Sequence, residues 1–195
     1  MKASTLLLIV GLATLGTSCG QDAASKKLAD ETEARVVASI KQVLVQVQVP
    51  AQGEILGQAH TWYQSSEVPN IIKLDPGAEA VYRDHAAILQ EVATNQSKLA
   101  SDPILTPAQG QGIRSGYQKL VDESSANVAQ LTNLASNKTT MSEAEQRTFV
   151  RELAKKENHQ LALVKYFTRR TASTIDLKTR QKKSDEANIK MWGHK

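Results

Sequence analysis

The chain has 195 residues, 41% of them apolar but only 4% aromatic, with 24 Lys and Arg against 20 Asp and Glu for a formal charge of +4. That length allows one domain of ordinary size. The ten Gly and five Pro leave too few turn residues for an all-β sandwich, and one cysteine excludes a disulfide framework or a Cys-based zinc site.

The N-terminus has the layout of an export signal. Lys2 supplies the positive end, Leu6 to Leu15 the apolar run, and Gly16, Thr17 and Ser18 the small residues before Cys19. The run is shorter than the ~20 apolar residues a spanning helix needs. Residues 1–18 therefore read as a signal and 19–25 as a tether. Cys19 stands where a lipoprotein signal puts its acylated cysteine, although Gly16 replaces the usual Leu of a lipobox. Lipidation would remove an unpaired thiol and supply the more than one acyl chain that stable anchoring takes. Simple cleavage after Gly20 is the alternative. By resemblance to lipoprotein sorting patterns, Gly20 after the cysteine directs a lipidated protein to the outer membrane, facing the periplasm. Without lipid the protein is periplasmic or secreted.

From Ser25 apolar residues recur at three-and-four spacing, and 26–48 reads as an amphipathic helix ended by Pro50. Val43, Val45, Val47 and Val49 also alternate, which β-branched residues in a strand would do. Residues 51–75 are irregular, with a short helix near 53–65 that carries Trp62 and Tyr63. Asp75-Pro76 is a cap followed by a first-turn proline and opens a helix over 76–100. Thr106-Pro107 repeats the device for a helix to about 135. Ser142 and Glu145 form a capping box, after which no Gly or Pro interrupts until 192. The stripe is Phe149, Leu153, Leu161, Val164, Phe167, Thr171, Ile175 and Lys178. Fifty unbroken helical residues would span about 75 Å, so part of that helix should project or pair with helix 26–48. The fold expected is all-α: an elongated bundle of three or four long helices with a small helical appendage, in one domain over 26–195. Helix 26–48 should lie antiparallel to part of 142–190, with 76–135 as a hairpin beside them.

Basic charge is concentrated at the C-terminus. Residues 142–195 hold 13 Lys and Arg against 7 Asp and Glu, a local +6 that leaves −2 for the rest. A solvated face and a surface for an acidic partner or anionic headgroups both fit this. Apolar residues thin out after Ile175 while Arg180, Lys182 and Lys183 accumulate. The segment from about Lys165 is therefore expected to dock a partner, with Trp192 as its anchor. Trp62 and Tyr63 admit two readings, a plug between helices or an exposed anchor.

Catalytic and cofactor signatures are sparse. His60, His85, His159 and His194 include no pair at metal-clamp spacing. His85 reads as a helix-face residue. Gly110, Gly112 and Gly116 miss the dinucleotide fingerprint by one position and follow no strand. Gly110 and Gly112 read as loosening a first helical turn, and Gly116 as permitting close helix packing. No catalytic, metal or cofactor residues are assigned, nucleic acid is not expected as a partner, and the chain is expected not to be an enzyme.

The export signal, long N-terminal helix, variable helical middle and the opening Met141-Ser142-Glu143-Ala144-Glu145-Gln146-Arg147, continued to Trp192-Gly193, resemble the TrbJ family of conjugative-transfer proteins. These are relatives of the minor pilus component of type IV secretion systems. The resemblance implies a helical, non-enzymatic envelope component that helps assemble a conjugative pilus or acts as its adaptor, with other envelope or secretion proteins as partners. A generic periplasm-facing helical lipoprotein that binds a client protein or peptidoglycan is the alternative.

Overall fold

A computed structural model of the chain describes residues 18–45, 47, 49–136 and 140–193. The signal residues 1–17 lie outside the described residues. Six helices form the fold, without a strand among the described residues: α1 (Ser18–Val43), α2 (Val49–Gln64), α3 (Asn70–Lys73), α4 (Pro76–Ala100), α5 (Pro107–Ser136) and α6 (Glu143–Trp192). The all-α class is as expected, and none of these helices is long and apolar enough to cross a membrane.

The helix starts follow their caps. Asp75 accepts a 3.0 Å hydrogen bond from the Gly77 amide with Pro76 in the first turn. Thr106 and Gln109 exchange backbone-to-side-chain hydrogen bonds of 3.0 and 3.3 Å, so α5 also opens on a capping box. Ser142 and Glu145 do the same for α6. Hydrogen bonds from the Ser142 hydroxyl and amide hold the Glu145 carboxyl below its ordinary range. The stability it adds is present above the ordinary carboxylate pKa and is lost as pH falls through the lowered value.

The N-terminal third departs from the expected layout. Residues 19–25 are helical and continuous with α1, because Ala23-Ala24 favours helix and no proline intervenes. At its other end α1 stops at Val43, within the β-branched run, rather than at 48. Pro50 does not terminate that helix; it sits in the first turn of α2, where a missing amide hydrogen is harmless. Gln52 then turns back to donate 2.7 Å hydrogen bonds to the carbonyls of Leu44 and Val47, satisfying the connection. The segment 51–75 is thus ordered into α2 and α3.

Packing also differs at that end. Rather than lining up along α6, α1 has α2, α4 and α3 as its principal neighbours. Beside it α4 and α6 run parallel, with Asp75 against Arg151 at 3.0 Å and Asp84 against Asn158 at 3.3 Å. Against both of them α5 runs antiparallel, joining Asn127 to Glu157 and Tyr117 to Thr168 on α6. One end of the bundle is thick: α1 and α2 join α4, α5 and α6 around Trp62, Tyr82, Ile40 and Leu131. The other is a three-helix core around Ile88, Tyr117, Val164 and Ile175. Leu44 is buried while Val43 and Val47 only flank the core. Leu44→Ala is therefore expected to cost about 2–4 kcal/mol and each valine-to-alanine change about half that or less. Urea midpoints check this, and equal costs for all three would contradict it.

Two glycines set the helix spacing at the narrow end. A Cβ on Gly110 would lie 2.3 Å from the Ala100 carbonyl oxygen, and one on Gly116 would lie 2.5 Å from the Phe167 ring. Gly57, by contrast, faces open space. Gly57→Ala is expected to stabilise by about 0.5–1 kcal/mol, the helix-propensity gain. Gly110→Ala is expected to destabilise by roughly 1–3 kcal/mol, because a backbone carbonyl must move. The order of the two unfolding midpoints relative to the parent tests this directly.

Candidate functional site

The face that α6 turns inward is a heptad-like seam: Gln146, Val150, Leu153, Glu157, Gln160, Val164, Thr168 and Ile175 are buried. Four of these are polar, and each reaches a partner across the bundle or along the chain. Glu157 is 0% exposed. Its carboxylate accepts hydrogen bonds from the Ser124 hydroxyl and from Asn127 Nδ2, the latter at 2.8 Å. His85 Nδ1 lies 2.6 Å from the Ser124 oxygen and 3.7 Å from Glu157. With the Ser124 hydroxyl donating to Glu157, His85 Nδ1–H can donate to Ser124. Gln160 donates to the Leu120 carbonyl at 2.8 Å, and Thr168 pairs with the Tyr117 hydroxyl at 2.9 Å. Gln146 donates to the Met141 carbonyl at 3.1 Å.

A serine, a histidine and a carboxylate in contact invite a catalytic reading, but the order is wrong for a nucleophile. Serine lies between the other two, so the carboxylate holds the serine hydroxyl instead of orienting the histidine as a general base. Ser124 and Glu157 have no exposed surface, and the cluster satisfies a buried carboxylate. His85 is thus part of the buried network rather than a plain helix-face residue.

The same seam continues past the bundle. Thr168, Ile175, Lys182 and Ile189 follow at seven-residue steps, and Trp192 lies within a turn of Ile189 on that side. Ile175 is buried, but every described residue from Arg180 to Gly193 is exposed, Trp192 to 81%. The reason is length. From the Asp75–Arg151 and Asp84–Asn158 pairs, the last residue of α4 is level with about residue 175 of α6. Seventeen further residues of α6 therefore extend about 25 Å beyond α4. The first of them flank the turn between α4 and α5, where Thr179, Lys182, Lys183 and Glu186 surround a hollow with Asp102, Pro103 and Ile104. Beyond Glu186 lie Ile189, Met191 and Trp192, all exposed. Gly193, at φ 67°, closes the helix by donating to the Ile189 carbonyl at 2.9 Å.

The expected docking segment is therefore shorter than its sequence suggested. Phe167, Thr168 and Ile175 belong to the narrow-end core, so the stretch from Lys165 to Lys178 is structural on one face. Arg180 makes a 2.6 Å ion pair with Asp176, one turn back. Lys182, Lys183 and Trp192 remain as exposed candidates. Of the two readings of Trp62 and Tyr63, burial excludes the exposed docking anchor and leaves the plug: at 0% and 2% exposure they fill the thick end of the bundle. Their rings stack edge-on at 4.9 Å, and Tyr82 lies 6.4 Å from Trp62. Burial raises both tyrosine hydroxyls above their ordinary pKa. Cys19 falls in the first turn of α1, and its side chain lies outside the described residues.

Fold and site together define a class: an all-α bundle whose longest helix carries its inward-facing seam out into solvent as an arm. Compared with protein-family models, curated proteins and solved structures, the chain matches none of them.

Proposed function

We propose that the protein is a non-enzymatic adaptor of the cell envelope that serves a conjugative-transfer or type IV secretion apparatus. The observation that carries this reading is the end of α6, which runs past the bundle to an apolar tip of exposed Ile189, Met191 and Trp192. A helix that presents an apolar tip with no core to cover it is suited to receive a partner. Trp is the residue most enriched among interface anchors. Lys182, Lys183 and Lys190 on the same arm steer an acidic surface towards it. The resemblance of Met141 to Arg147 and of the helix to Trp192-Gly193 supplies the assignment to a pilus-assembly system. In the same reading Cys19 carries a lipid that holds α1 at the outer membrane, and intact mass of a chain starting at Cys19 would carry the added acyl groups.

Deletion in a conjugating donor strain tests the assignment. Transfer frequency should collapse and return on complementation. Unchanged transfer would overturn the proposal.

A further inference from the structure

A second exposed feature lies on the bundle itself, between the start of α5 and the middle of α6. Here an open groove of about 310 Å³ is floored by Leu105, Ile113, Phe167 and Ile175. Leu105, Ile113 and Phe167 are only half-buried, so the floor is open to solvent. Its wall on the α5 side is Gly112, where an added Cβ would meet nothing within 4 Å. Arg170 and Lys178 stand on the α6 lip. Neither side chain has an ion pair or hydrogen bond among the described residues, whereas the neighbouring Arg180 is paired to Asp176.

We propose that this groove seats an amphipathic helix with acidic flanks, contributed by a partner protein. Three features select that occupant. The α6 wall runs from Phe167 to Lys178, about 17 Å or three helical turns, which suits a helix laid along it by its apolar face. The two free cations are eight residues apart on one helix, about 12 Å. That spacing matches carboxylates seven or eight residues apart on a docked helix, and one headgroup of a small anion would reach only one of the cations. The glycine wall leaves room for side chains to enter between α5 and α6. The inference rests on the adaptor reading and adds a second contact on the helix that carries the arm.

A fluorescent synthetic peptide of about 18 residues, long enough to cover the groove, tests it on the purified protein. Leucines at three-and-four spacing form its apolar face and glutamates its flanks. A twin carries Lys in place of Glu, and a scramble keeps the composition. The acidic peptide should bind saturably, one per chain, about tenfold or more tighter than either control. Gly112→Trp should weaken it about tenfold with melting unchanged, because the new ring occupies the groove. Arg170→Glu with Lys178→Glu should reverse the preference in favour of the Lys twin. Lys27→Glu with Lys155→Glu, exposed and far from the groove, should leave binding as it was. Equal binding of the scramble would overturn the proposal. So would loss of binding in the Lys27/Lys155 variant with retention in Gly112→Trp. Concentration-dependent self-association that Gly112→Trp abolishes would assign the groove to a second copy of the chain and overturn it too. Failure of the adaptor reading appears instead as normal transfer after deletion, whatever the peptide does.

Discussion

Glu157→Ala is expected to destabilise the protein by about 3–5 kcal/mol, the cost of breaking a buried charged network from one side. The carboxylate sits at zero exposure among His85, Ser124 and Asn127, which come from α4 and α5. Removing it leaves the Ser124 hydroxyl and the Asn127 amide without their acceptor, and each such group costs about 1–3 kcal/mol when buried and unpaired. A domain of this size holds about 5–15 kcal/mol in total, so the variant should lose a large fraction of its stability. Glu157→Gln keeps the shape and an acceptor oxygen and should lose less. Replacing His85, Ser124, Asn127 and Glu157 together by apolar residues of similar volume should recover much of the loss, because the penalty comes from unpaired groups rather than from the missing charge. Urea unfolding of the three variants checks the ordering. A loss below about 1 kcal/mol for Glu157→Ala would mean that the network is wet or absent in solution.

Trp62→Ala is expected to cost about 3–5 kcal/mol. The indole is fully buried in the core shared by α1, α2, α4, α5 and α6, with Tyr63 and Tyr82 edge-on to it. Its loss opens a cavity where α2 packs on the rest of the bundle, so hydrogen exchange should quicken first in α2 and the end of α1. The indole Nε1 has no hydrogen-bond partner among the described residues. Trp62→Phe should therefore cost much less than Trp62→Ala, since the donor it removes is unsatisfied. Equal losses for Phe and Ala would show that the indole nitrogen is paired through water and that packing alone does not set the energy.

These two sites mark where sequence reasoning worked and where it stopped. Asp75-Pro76, Thr106-Pro107 and Ser142-Glu145 are local signals, and α4, α5 and α6 begin where they place them. Gly116 was legible as a close-packing residue, though its contact with Phe167 was not. The seam of α6 is only partly legible in the sequence, because half of its buried positions are polar. Gln146, Glu157, Gln160 and Thr168 are buried at heptad positions, and their partners lie on helices tens of residues away. No single-sequence pattern distinguishes such residues from a solvated polar face. A weak signal existed for Glu157, which falls four residues after Leu153 and seven before Val164, on the apolar stripe. The break at Val43 was hidden by a valine run that suits helix and strand about equally, and Pro50 was read as an end because proline both ends and begins helices. Trp62 and Tyr63 were ambiguous for a different reason: aromatic pairs serve cores and interfaces alike, and only burial decides between them.

The arm carries the functional account, and removing it is the most direct test. A stop codon after Lys183 deletes the exposed end of α6 with Ile189, Met191 and Trp192 but keeps Ile175 and the residues of the narrow-end core. The account predicts a melting temperature within about 2 °C of the full chain, because little buried surface is lost. It also predicts that the truncated protein, expressed in the deletion strain, restores no DNA transfer. Restored transfer at the full level, or a truncated chain that melts well below the parent, would contradict a docking arm and make the end of α6 dispensable or structural instead.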